Sequence, residues 1–380
     1  MIIETIRSIN SLILINLIFF FNFSKKKTII FNFPREQVAK KDLKYIKDLF
    51  KDLEKKYLIF YIHKVRDLNI KSGNNYFMQQ YLLKFIFNAD YLVSNYISDF
   101  FPYKSKKIYI HHCITDCPLT DKKKDIEIAE RFHKYDFILI NSKYVKKYFD
   151  QIINRYCRKF GKKNSTTVLD VGYPRIDYLF KKLNSVKLTN NQKSVIIAPA
   201  NFLAFQKFSL IRNLEDIIDL LLKNLKYKVI FRPHPQNRRD IMLNDMKFNK
   251  KFLFLEKYKN NKRFVLDTSD DYLNNYRKSS LMISDLSGTA FTFSYLTNNP
   301  VLFFSINEKN YKKYYSKFEH FKLRSRIGLV CNDKRSLIKN IEKLFKERKK
   351  IINKIVIEKK RLKKLSMAKS NINNFFKKIA

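Results

Sequence analysis

Short runs rich in β-branched and aromatic residues alternate along this chain with longer segments of helical period, and that alternation constrains the fold more than any other feature. Strands separated by helix-length connections pair parallel, because the helix must cross back over the sheet. The strand pattern occupies residues 28–33, 57–62, 91–94, 107–112, 136–141 and 167–171, and restarts at 194–199, 227–231, 264–267, 281–285 and 301–305. Helical period fills stretches such as 40–55, 142–159, 208–224, 287–296 and 332–367. A polar stretch carrying Asn184, Asn190 and Asn191 separates the two series. With 380 residues, 45% of them hydrophobic, the chain is long enough for two cores. The expected class is α/β, with two Rossmann-like doubly wound domains and a long C-terminal helix. The expected division is an apolar helix at 1–25, domains at 26–182 and 194–345, a linker at 183–193, and a Lys-rich helix at 346–380.

Charge narrows the partners. Lys and Arg number 78 against 34 Asp and Glu, a formal net charge of +44. Such an excess raises nucleic acid as a partner. Sixty of the basic residues are Lys, however, and they are spread along the whole chain, whereas nucleic-acid readers favour Arg concentrated on one face. The charge fits a phosphorylated substrate or an anionic membrane surface, and no specific nucleic-acid partner is expected. Four cysteines exclude a disulfide scaffold. Cys113 and Cys117, beside His111 and His112, do not match a usual zinc spacing, so neither metal nor cofactor is expected.

The apolar run from Leu12 to Phe23 is followed by Lys25, Lys26 and Lys27. It falls short of a membrane span and lacks the cleavage site of a signal peptide. Two readings remain: a buried first helix, or an interfacial helix whose Phe19, Phe20 and Phe21 enter the bilayer while the lysines meet acidic headgroups. A cytoplasmic protein, peripheral on the inner face of the cell membrane, is the expectation.

Ligands of open α/β sheets sit beyond the carboxyl ends of the strands, and four such ends carry unusual residues. Arg232-Pro233-His234-Pro235 locks an Arg and a His in extended backbone after a strand, a pair suited to phosphate. Asp285-Leu286-Ser287-Gly288-Thr289 ends a strand and opens a helix whose free N–H groups form an anion site. Ile110-His111-His112 ends a first-domain strand, and alternation sends one His to each side, so at most one of the two faces a given cleft, where its role is either packing or that of a base. Gly172-Tyr173-Pro174-Arg175-Ile176-Asp177 is a turn before a helix that structural duty alone explains.

Taken in order with Ala198-Pro199, these five elements resemble the CDP-glycerol glycerophosphotransferase family, which builds polyol-phosphate chains of teichoic-acid type. The resemblance covers roughly residues 107–305. It implies a GT-B-like architecture with the active site between domains, and transfer of a glycerophosphate or related group from a CDP-linked donor to a hydroxyl of a membrane- or lipid-linked glycan acceptor, releasing CMP. By position, His112, or alternatively His111, would be the base. His234 would be the second catalytic His, His111, Arg232, Ser287, Gly288 and Thr289 would bind substrate, and Asp285 would either contact the donor or orient a neighbour. The sequence departs from the family pattern at Cys113, which leaves His111 beside His112 as a candidate base, and at Gly288 and Thr292, which leave the donor alcohol open. A nucleotide-sugar glycosyltransferase of the same fold is the alternative function, and a non-catalytic nucleic-acid binder is a third.

Overall fold

The computed structural model describes the chain except residues 1, 23–24, 66–73, 115–124, 185–193, 203–206, 243–251, 270, 317, 363–366 and 380. Most of the expected linker therefore lies outside the described residues. Contacts divide the chain into two units: residues 1–113, 119–178 and 364–380 form the first, and 114–118 and 179–363 the second.

The first unit is built on a seven-stranded sheet of β1 (Lys27–Asn32), β2 (Tyr57–His63), β3 (Asn75–Phe77), β4 (Tyr91–Ser94), β5 (Lys106–Ile110), β6 (Phe137–Ile140) and β7 (Thr167–Asp170). Their order is β3-β2-β1-β4-β5-β6-β7 and each pairing is parallel. The second sheet holds β8 (Ser194–Ile197), β9 (Lys228–Phe231), β10 (Phe264–Leu266), β11 (Ser279–Ser284), β12 (Val301–Phe304) and β13 (Gly328–Cys331). Its order is β10-β9-β8-β11-β12-β13, again parallel throughout. Both orders reverse beside the first strand, as in doubly wound dinucleotide-binding folds.

Strand alternation explains why these sheets are apolar on both faces. In β1, Ile29 and Phe31 enter one core while Ile30 enters the other. The first core is closed by the helix Glu36–Phe50, through Leu43, Ile46 and Phe50. The second is closed by the N-terminal helix Ile2–Phe20, through Ile15 and Phe19.

Two strands escape the sequence pattern. β3 is three residues long, and β13 begins with Gly328, where a Cβ would sit 1.7 Å from the Val301 carbonyl oxygen. Only glycine permits that approach to β12. The expected helix at 346–380 is also divided, into Arg348–Leu362 and Ala368–Ile379. The last segment belongs to the first unit, where Ile372, Phe375 and Phe376 enter the core. The Tyr57 and Tyr91 hydroxyls donate to the carbonyls of Phe376 and Ile379, at 2.7 and 2.6 Å. Dense lysine makes the stretch read as one solvated helix, but its apolar residues serve two different cores.

Candidate active site

In the first unit, β5 decides between the two histidines. The His111 amide still bonds the Leu139 carbonyl at 2.8 Å, so its side chain keeps the strand's alternation and is buried, edge-on to Phe149 at 5.4 Å. His112 has left the strand and is half-buried. Its ring stacks on Tyr96, with centroids 4.1 Å apart and planes 17° from parallel, and Nδ1 lies 3.0 Å from the Tyr109 hydroxyl. Burial holds that hydroxyl protonated, well above its ordinary range.

The Gly172–Asp177 turn braces this His. Gly172 adopts a φ of 91°, which favours glycine, and Tyr173 donates from its hydroxyl to the His112 carbonyl at 2.9 Å. Arg175 pairs with buried Asp42 at 3.3 Å, whose other oxygen accepts from Asn95 at 2.8 Å. The amide of Asn141 bonds the Cys113 carbonyl. Backbone on both sides of His112 is thereby held, a role for the turn that the sequence shows only as local geometry.

In the second unit, the remaining expected residues fall on the carboxyl ends of β9 and β11. Arg232 follows β9 and is mostly buried. Its guanidinium meets Asp267 at 2.7 Å and lies over the Tyr272 ring at 5.4 Å. Burial alone would raise the Asp267 carboxyl, but the Ser269 hydroxyl and Arg232 outweigh it and hold the group below its usual range. The positive charge of Arg232 is therefore already paired with a carboxylate. His234 directly precedes the helix Pro235–Met242. Arg238, on that helix, donates to the carbonyls of Thr268 and Ser269.

Asp285 holds neighbouring backbone. It is buried, and its oxygens accept the amides of Ala200, Leu286 and Leu210 at 2.7, 2.7 and 3.0 Å. Burial raises its carboxyl although those amides oppose the shift. The residue fixes the loop after β8 against β11. Beyond it, Ser287 is nearly buried and its Oγ accepts the Thr289 amide at 3.4 Å. The Thr289 hydroxyl bonds the Tyr276 hydroxyl, and Tyr276 packs on Tyr272 with centroids 4.8 Å apart. Tyr272 and Tyr276 thus connect the Arg232 element to the helix Thr289–Thr297. A Cβ at Gly288 would meet nothing within 4 Å, so that turn borders open space at a helix N-terminus.

Sequence reasoning missed Tyr96, Tyr109, Asp267, Tyr272 and Tyr276. Asp267 left a trace, a carboxylate ending an apolar run, but the tyrosines look like any core aromatic. Among the described residues no group of His, Cys, Asp or Glu could hold a metal ion. Cys117 lies outside the described residues.

The family described as CDP-glycerol:poly(glycerophosphate) glycerophosphotransferase matches residues 14–372. The chain belongs to that family. It is a transferase of CDP-glycerol chemistry. Among solved structures, the wall teichoic acid polymerase TagF aligns with a TM-score of 0.62 and 18% identity, covering 99% of this chain and 96% of that one. A putative UDP-N-acetylglucosamine 2-epimerase from Listeria monocytogenes aligns at 0.56 and 12%, covering 87% and 90%. At those identities the likeness is one of fold, the GT-B-like pair of Rossmann-like domains. No curated protein matches the chain by sequence.

Proposed function

We propose that the protein extends a polyol-phosphate chain of teichoic-acid type, with His112 as general base and CMP as the leaving group. An acceptor hydroxyl attacks the glycerol-bearing phosphorus of CDP-glycerol. The new bond joins the acceptor oxygen to that phosphorus, the bond from phosphorus to the oxygen of CMP breaks, and the hydroxyl proton passes to His112 Nε2.

The observation that carries this reading is the holding of His112: a half-buried imidazole at a strand end, stacked on Tyr96, with Nδ1 on Tyr109. With the ring proton on Nδ1, toward the Tyr109 oxygen, Nε2 carries the lone pair that a base needs. His111, packed on Phe149, lacks that presentation. In the second unit, the open turn at Gly288 and the helix N-terminus behind it suit the donor's phosphates, with His234 as a further donor. Arg232, compensated by Asp267, supplies directed N–H groups rather than net charge, which matters in a transfer governed by positioning and electrostatics.

The test is incubation with CDP-glycerol and a glycerophosphate-primed acceptor. CMP release should accompany growth of the acceptor by whole glycerophosphate units, while UDP- and CMP-sugars stay intact. His112→Ala should lower turnover about 10²–10⁴-fold, the usual range for a general base. Near-normal turnover in that variant, or release of nucleotide from the sugars alone, would defeat the proposal.

A further inference from the structure

The helix Lys143–Lys159, which follows β6, turns an apolar face to the first unit and a basic face to solvent. Val145, Phe149, Ile152, Ile153 and Tyr156 are buried, and Phe149 is the ring that lies against His111. At 100° per residue, Lys143, Lys147, Gln151, Asn154 and Arg158 fall within about 80° of one another on the outer side, and all five are exposed. Between residues 141 and 165 the only acidic side chain is Asp150. Lys146 already meets that carboxylate at 3.1 Å and donates to the Val168 carbonyl at 3.0 Å. The outer face is therefore cationic along its whole length.

Two open cavities lie on this face. One, of about 600 Å³, is lined by residues that include Lys143, Lys147, Gln151, Arg155 and Arg158. The other, of about 630 Å³, shares Asn154 and Arg158 with it and continues past the end of the helix to Gly161 and Lys162. From Lys143 to Arg158 the face runs about 22 Å, at 1.5 Å per residue. Its first end lies beside the candidate base. Ser142 caps the helix by accepting the Val145 amide at 3.4 Å, and the Asn141 side chain bonds the carbonyl of Cys113, the residue after His112. A chain whose end reaches His112 thus meets a cationic path leading away from it.

The lining chemistry selects the occupant. Cations spaced by helical turns, about 6 Å apart from Lys143 to Lys147, suit a linear ligand with a negative charge in every unit. The Gln151 and Asn154 amides both donate and accept, which suits hydroxyls and ester oxygens between those charges. No aromatic side chain lines the first cavity, so the bases of a nucleic acid would find no ring to stack on. No aliphatic side chain lines it either, so a bilayer would find nothing to take into its acyl boundary. We propose that this face seats the already built part of the acceptor, a polyanionic polyol-phosphate chain whose growing end reaches His112. The inference rests on the transferase reading for the class of substrate, and adds where the units behind the reacting one are held.

The test is fluorescence anisotropy of end-labelled glycerophosphate oligomers with the full chain, in the absence of CDP-glycerol. Affinity should rise with oligomer length until the oligomer covers the face, and fall as added salt screens the contacts. The pair Lys147→Gln and Arg158→Gln should weaken binding of the long oligomer about tenfold, at about threefold for each exposed ion pair. Thermal unfolding should stay as in the parent, since both side chains are exposed and Gln suits a helix. The inference fails if the Gln pair binds the long oligomer as the parent does, or if affinity is independent of length. It fails equally if a single-stranded oligonucleotide of the same charge binds more tightly than the oligomer, or if anionic vesicles displace it, results that would give the face to nucleic acid or to lipid. Because binding is read without donor or turnover, a protein that holds the oligomer through this face and yet releases no CMP would overturn the transferase reading alone.

Discussion

Tyr109→Phe separates two opposite roles for the hydroxyl on His112 Nδ1. The substitution keeps the ring, which packs among Phe132, Tyr135 and Phe149, and removes one hydrogen bond of 3.0 Å. If Nδ1–H donates to Tyr109, the bond is stronger when the imidazole is charged. A neutral hydrogen bond is worth about 0.5–1.5 kcal/mol and one to a charged group about 1.5–3 kcal/mol. The difference of about 1 kcal/mol favours the protonated ring, and 1.36 kcal/mol corresponds to one pH unit. Removing the hydroxyl should then move the acid limb of the kcat/KM profile to lower pH, by about half a unit to one unit. The plateau should fall by up to about tenfold as the productive tautomer loses its partner. If instead Tyr109 donates to Nδ1, it favours the neutral ring with its proton on Nε2, and removal moves the limb to higher pH. Profiles measured with CDP-glycerol at low concentration read the free enzyme. A limb that shifts upward, or that stays in place with an unchanged plateau, would refute His112 as a base acting through Nε2.

Gly288→Ala should leave thermal unfolding unchanged, since its backbone φ is −60° and no atom lies within 4 Å of the new methyl; if donor phosphates use that space, KM for CDP-glycerol should rise about tenfold or more. Arg232→Met strands the carboxylate of Asp267 and should cost about 3–5 kcal/mol of stability, measured by urea unfolding. The double change Arg232→Met with Asp267→Leu should recover most of that stability without recovering turnover. His63 and His320 are buried, and burial lowers them to about 4 and about 3. Between pH 6.5 and 4 the unfolded chain therefore binds more protons than the folded one, so stability should decline as pH falls through that window, by on the order of 3 kcal/mol for His63. A His320→Phe variant should show a shallower decline, and an unchanged slope would count against the buried neutral His.

Much of this was legible in the sequence because it is local. The period of the apolar runs marks strands and crossovers, and two prolines around His234 or a hydroxyl-rich turn after Asp285 identify strand ends where phosphate chemistry belongs. The order of those motifs supported the family that the match over residues 14–372 shows. Functions of individual side chains were less legible where they depend on partners distant in the chain. Arg232 reads as a bare cation until Asp267, 35 positions away, is seen against it. For Asp285 the sequence leaves two roles open, contacting the donor or orienting a neighbour, and only the tertiary structure brings the amides of Ala200 and Leu210 onto its oxygens.

The histidine pair shows the division most directly. Sequence alternation establishes that His111 and His112 diverge, because successive side chains of a strand point to opposite faces. It carries no information on which face is core. That was decided by Phe149 closing over His111 and by Tyr96 and Tyr109 gathering around His112. The N-terminal helix repeats the lesson: its apolar residues are distributed around the helix, and only packing against Phe60 and the Phe85–Phe87 segment separates its buried side from its exposed one. The sequence by itself determined the parallel α/β class and the two series of strands, since these follow from periodicity, and the ordered motifs by which the chain resembles its family. Tertiary structure alone decided which His is presented, which charges are already paired, and that the last helix returns to the first sheet, since each depends on contacts between residues far apart in the chain.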